Sequence, residues 1–190
     1  MASENLVFDQ NFCDNEAFNA TLHPFIRNTV GCMEYGGTVL NKRLSKHENK
    51  GNVRRTTDAF ELATAILFQN PVQNFALTPD NLNFAPADAI QFMKDVPTTW
   101  DETVFIDGYP GKYVVLARRH GSKWYIAGVS NEEKPFKLKL DLPMLQKDQA
   151  VTLYAEDGKK PLTAKTVKVK DPKAFEINMQ KNNGFILVAE

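Results

Sequence analysis

The chain has 190 residues, 43% of them hydrophobic and 24% charged, with 23 Lys+Arg against 23 Asp+Glu. That composition supports a buried core and excludes a disordered polymer. The zero formal charge argues against a dedicated nucleic-acid surface, and no apolar run approaches the roughly 20 residues that span a bilayer.

The start, Met1-Ala2-Ser3-Glu4-Asn5, has neither the basic nor the apolar region of a secretory signal, and Cys13 and Cys32 are expected as unpaired thiols. Over the first 35 residues Glu4, Asp9, Asp14, Glu16 and Glu34 alternate with amides such as Asn5, Asn11 and Asn15, which by composition reads as a solvated, Asx-rich loop. Thr21 to Val30 is predicted helical, with Pro24 near its first turn, where a missing N–H costs nothing. Residues 36–55 are polar and basic and read as a long surface loop; Arg54-Arg55 reads as solvated, with anion binding as the functional alternative. Thr57 or Asp58 caps the next helix and Glu61 is placed to answer it as in a capping box. Phe60, Leu62, Ala63, Ile66 and Leu67 then repeat at helical spacing until Asn70-Pro71 stops the run. Their stripe is wide, which predicts cover on more than one side. A third helix is predicted from Pro86, at N1, to Val96, with Ile90, Phe92 and Met93 inward and Pro97 ending it.

After Pro97 the period is two. Phe136, Leu138, Leu140 and Leu142 alternate with Lys137, Lys139 and Asp141, the mark of a strand with one dry face. Further strands are predicted at Thr103 to Ile106, Tyr113 to Ala117, Trp124 to Val129, Val151 to Ala155, Thr163 to Val169, Phe175 to Met179 and Phe185 to Val188. About eight short strands at this spacing predict an all-β sandwich or barrel. Residues 1–98, by contrast, offer three helices, no recognisable sheet and helices hydrophobic on too many sides to stand alone. Trp124-Tyr125 could stack a sugar, but neighbouring strand residues point to opposite faces, so at most one of them is available on a given face.

His23, His47 and His120 are scattered and give no zinc spacing, and there is no phosphate-cradling glycine loop and no Gly-x-Ser-x-Gly. Carboxylates are the chemical candidates: glycoside hydrolysis needs two, and calcium needs oxygen ligands.

Several strings in order resemble the C-terminal region of glycoside hydrolase family 97: Pro97-Thr-Thr-Trp-Asp-Glu-Thr103, Gly111-Lys-Tyr-Val-Val-Leu-Ala-Arg-Arg-His-Gly121 and Lys123-Trp-Tyr-Ile-Ala-Gly128. Upstream, His23-Pro-Phe-Ile-Arg27, Gly31-Cys-Met-Glu-Tyr35 and Glu61-Leu-Ala-Thr-Ala-Ile-Leu-Phe-Gln-Asn-Pro71 are similar to that family's last barrel segments. The resemblance implies a mixed fold: the partial end of a (β/α)8 barrel, mostly helices and loops, over 1–98, then an all-β sandwich over 99–190 associated with oligomerisation. It implies a parent enzyme, commonly periplasmic, that hydrolyses terminal α-glucosidic or α-galactosidic bonds of oligosaccharides with calcium, retaining or inverting. Glu4, in Glu4-Asn5-Leu6, and Glu16, in Asp14-Asn15-Glu16, are the implied catalytic and calcium-binding carboxylates. Where the family commonly has Gly-Pro-Met-Asp-Tyr, this chain carries Glu34, its carboxylate one methylene further out. A complete barrel takes about 250 residues, so the isolated chain is expected to be an inactive fragment that forms homo-oligomers through exposed helices or the sandwich. The alternative expectation is a non-catalytic interaction or carbohydrate-binding module.

Overall fold

The computed structural model describes residues 2–3, 9–35, 40, 50–77, 79, 81–156 and 161–190. Two short strands, β1 (Ala2–Ser3) and β2 (Glu34–Tyr35), pair in parallel across helix α1 (Gln10–Val30). This is a β-α-β unit, the arrangement that a parallel pair requires.

Helix α1 starts eleven residues before its predicted start at Thr21. Asp9 caps it, its carboxylate accepting from the backbone N–H groups of Asn11 and Phe12. Its buried residues are Cys13, Glu16, Ala17, Ala20 and Thr21, a correct helical stripe made of small and polar side chains. Phe12, Phe18 and Ile26 meanwhile face outward. The apolar pattern therefore does not mark the buried face, which is why composition alone read as loop. Pro24 lies inside the helix rather than in its first turn and removes the N–H that Ala20's carbonyl would have received.

Helix α2 (Asp58–Leu67) begins at Thr57, whose hydroxyl accepts from Phe60 N–H. Glu61 is one residue too far along to close a capping box and turns instead into a buried cluster. Every residue from Ala59 to Leu67 is buried. A short turn of helix, α3 (Asn81–Phe84), and helix α4 (Ala87–Asp95) follow, with Pro86 at the N-cap of α4 and not at N1.

The eight predicted strands are all present: β3 (Glu102–Tyr109), β4 (Tyr113–His120), β5 (Lys123–Ser130), β6 (Phe136–Leu140), β7 (Ala150–Ala155), β8 (Thr163–Lys168), β9 (Phe175–Met179) and β10 (Gly184–Ala189). Six form an antiparallel sheet in the order β3-β4-β5-β10-β7-β8, and β6 pairs with β9. The two-stranded piece covers one face of the large sheet. Leu138, Leu140, Ile177 and Met179 meet Val115, Ala117, Ile126, Phe185 and Leu187 there.

The opposite face of the large sheet is not a solvent face. Val114, Leu116, Tyr125, Ala127, Val129 and Ile186 pack with Phe60, Leu62, Ala63, Ile66 and Leu67 of α2 and Phe92 of α4 in one cluster. Hence β10 reads Gly-Phe-Ile-Leu-Val-Ala without alternation: a strand covered on both faces has no polar side to show. Gly184 lets α2 approach, since a Cβ there would sit 2.6 Å from Phe60 Cα. Glu156 ties the β7 end to α2, its carboxylate accepting from Ala59 N–H at 2.8 Å, where the helix dipole favours negative charge. No helix among the described residues is long and apolar enough to cross a membrane.

Candidate functional site

Of the two carboxylates implied for catalysis and calcium, Glu4 lies outside the described residues. Glu16 is 2% exposed on the inner face of α1. Its carboxyl lies 3.3 Å from the Thr56 hydroxyl and next to that of Glu61. The same hydroxyl, with one proton to give, also lies within hydrogen-bond distance of Glu61, and Arg54 pairs with Asp58 and, at 3.9 Å, with Glu61. Arg54 is thus a buried cation and not a solvated loop residue, because three carboxylates surround it. Burial pushes Glu61 above the usual carboxyl range, with Arg54 and Thr56 opposing. Burial alone would lower Arg54, but Glu61 and Asp58 outweigh it and hold the guanidinium charged. Cys13, beside this cluster, has its thiol pushed up to about 11 by burial and by Glu16 and Asp14; neither it nor the exposed Cys32 is in a disulfide among the described residues.

Calcium takes six to eight oxygen ligands. Among the described residues no group of three or more His, Cys, Asp or Glu is placed to hold a metal ion, and Glu16 is already engaged by Thr56 and Glu61. These residues do not fit a calcium centre. Arg55, the exposed neighbour of Arg54, pairs with Asp14 at 2.7 Å. Tyr125 is buried under the helices against Trp100, and Trp124 is half-buried on the opposite face, so neither is an open sugar platform.

The pH response of the fold follows from Glu156. Burial holds its carboxyl above the usual value of 4.5, opposed by the Ala59 N–H. The folded chain therefore binds this proton more tightly than the unfolded chain. The stability it lends is complete below the ordinary carboxyl value and is lost as pH rises through the raised one. Glu156→Gln keeps an acceptor for Ala59 N–H and removes the titration. Urea unfolding of this variant is expected to lose less stability than the parent chain from about pH 4.5 to neutrality; parallel pH profiles would contradict that.

A second feature is the exposed edge of the large sheet. On β3, Phe105 is 55% and Tyr109 62% exposed. Phe25 of α1 meets Phe105 edge-on at 5.8 Å, Phe18 lies against Gly111, and Lys112 sits over the Tyr109 ring. The bulge between Phe105 and Asp107 leaves the two rings on opposite faces of β3, Phe105 on the side of Leu116 and Tyr109 on the side of Tyr113, and among the described residues β3 pairs only with β4. The opposite edge, β8, exposes Lys165 and Lys168 and has Ala164 N–H bonded to Asp88, the usual protection of an edge against pairing. Sequence reasoning missed these exposed rings because period-two patterning does not show which strand ends a sheet.

Comparison with known proteins bears on both features. Residues 99–189 match the family described as glycosyl-hydrolase 97 C-terminal, oligomerisation. A retaining alpha-galactosidase of Bacteroides thetaiotaomicron is 32% identical over 116 residues, 57% of this chain and 17% of that protein. The crystal structure of a beta-arabinopyranosidase superposes with TM-score 0.89 at 55% identity, covering 96% of this chain and 29% of its own. A family 97 enzyme from Pseudoalteromonas sp. strain K8, in complex with panose, superposes with TM-score 0.78 at 23% identity over 95% of this chain and 30% of its own, a likeness of fold. The chain thus spans less than a third of each relative.

Proposed function

Because this chain is a C-terminal part of a family 97 glycoside hydrolase, with the oligomerisation domain at residues 99–189, we propose that its own work is assembly. It pairs protomers through the β3 edge and braces the end of a catalytic barrel, and it does not itself cleave glycosides. The observation that carries this reading is the β3 edge, which among the described residues has no outer partner strand and exposes Phe105 and Tyr109, while the β8 edge at the other end of the sheet is charged and bonded to Asp88. In this reading β1, α1 and β2 are closing β-α-β steps of the parent barrel, whose catalytic face lies at the C-terminal ends of its strands.

The parent is assigned to hydrolysis of terminal α-galactosyl or β-arabinopyranosyl residues, by analogy with relatives 32% and 55% identical to this chain. Such chemistry needs two carboxylates at a set separation. Glu4 and Glu16 are this chain's candidates, and the burial of Glu16 against Thr56 and Arg54 favours a supporting place for it over contact with substrate. Chromogenic α-galactoside and β-arabinopyranoside are expected to go unhydrolysed by the isolated chain. Millimolar calcium is expected to leave its unfolding midpoint unchanged, since a ligand that binds only the folded state must raise that midpoint. Calcium-dependent sugar release, or a calcium-raised midpoint, would overturn this assignment.

A further inference from the structure

A cavity of about 750 Å³ opens between the last turns of α1 and strands β3 and β4, lined among others by Asn28, Cys32, Trp100 and Arg118. Helix α1 leaves the C-terminal end of β1 and returns to the N-terminal end of β2, so this cavity lies at the end of α1 away from the barrel's catalytic face. Arg118 is only 4% exposed. It donates from its two terminal nitrogens to the carbonyls of Phe68 (3.0 Å) and Leu67 (3.3 Å), while its Nε has no hydrogen-bond partner among the described residues. Among the described residues no carboxylate pairs with it, and the carbonyls that end α2, with Cys32 nearby, are what face its charge. The Trp100 ring lies 5.8 Å from the guanidinium carbon. At the rim, the Asn28 side-chain Oδ1 is buried and also without a partner among the described residues.

A buried cation with spare N–H groups is stabilised by an anion, and one positive charge balances one carboxylate better than a phosphate dianion. An unpaired acceptor at Asn28 calls for a donor hydroxyl on the same ligand. The indole offers an apolar surface to the ring that carries both. We propose that this cavity binds a sugar acid, with Arg118 taking the carboxylate, Asn28 a hydroxyl and Trp100 the ring face.

D-Glucuronate and D-glucose differ in whether carbon six is a carboxylate or a hydroxymethyl, so the pair isolates the charge. The chain has two tryptophans, and Trp124→Phe assigns the remaining indole N–H resonance to Trp100. Titration with glucuronate is expected to shift that resonance saturably, and glucose is expected to leave it in place. Arg118→Gln is expected to weaken binding at least tenfold. Because that change also removes a bond to α2, Asn28→Ala is the second variant, expected to weaken binding about threefold with an unchanged unfolding midpoint. No shift with glucuronate, an equal shift with glucose, or undiminished binding in both folded variants would overturn the proposal. None of these outcomes depends on whether protomers pair through β3.

Discussion

Arg54→Met is expected to destabilise the chain by about 3–5 kcal/mol at neutral pH, the usual cost of removing one partner from a buried ionic group. The side chain fits a methionine, so the loss comes from what is left behind: Asp58 and Glu61 lose their cation while Glu61 stays fully buried. The deficit has a pH signature. Without Arg54 the Glu61 carboxyl is pushed further above its ordinary value, so the variant loses stability more steeply than the parent as pH rises, and the two converge in acid, where the carboxyls are protonated. Adding Glu61→Gln removes the orphaned charge and is expected to restore part of the loss. Urea unfolding at acid and neutral pH checks both statements. A pH-independent deficit below about 1 kcal/mol, the range of an exposed pair, would mean that the cluster is solvated.

The second large effect is expected at Gly184. A Cβ there meets Phe60 Cα at 2.6 Å, Phe60 N at 2.9 Å and Ala59 O at 3.1 Å. All three are backbone atoms of α2 and its first turn, and no rotamer change relieves them. Gly184→Ala must therefore lift α2 off β10. The expected cost is about 3 kcal/mol or more, at the upper end of overpacking effects. Gly31→Ala is the control: nothing lies within 4 Å of its Cβ, so a change within about 0.5 kcal/mol is expected. Similar losses in both variants would contradict the close seating of α2 on the sheet.

How much of this was legible beforehand depended on whether chemistry and burial coincided. The strands after Pro97 were readable because turn residues separated them, and β6 because lysines marked its wet face. α2 was readable because its buried stripe is apolar. The second half of α1, from Thr21, was readable as helix, but its first half was not, since the inner face carries Cys13, Glu16, Ala17, Ala20 and Thr21, and only the Asp9 cap announced its start. Helical spacing at 13, 16, 17, 20 and 21 was present throughout, but a hydrophobic count cannot see small and polar residues that pack. The same gap hid the Glu16–Glu61–Arg54 cluster, whose members come from α1, α2 and the segment before α2. Arg118 could have been found: in phase with Val114 and Leu116 on a two-faced strand, it is placed on a dry face by alternation alone. Family strings, by contrast, named the architecture but could not say which carboxylates reach solvent.

The central claim is that the β3 edge joins two copies of this chain. Sedimentation velocity across the micromolar range, run on the chain and on the double variant Phe105→Asp/Tyr109→Asp, tests it directly. The chain is expected to sediment as a concentration-dependent dimer. The variant, which would bury unpaired carboxylates at that edge, is expected to be monomeric over the same range, a weakening of about 100-fold or more. A compact monomer at every concentration, or the same dimer in both proteins, would contradict the claim.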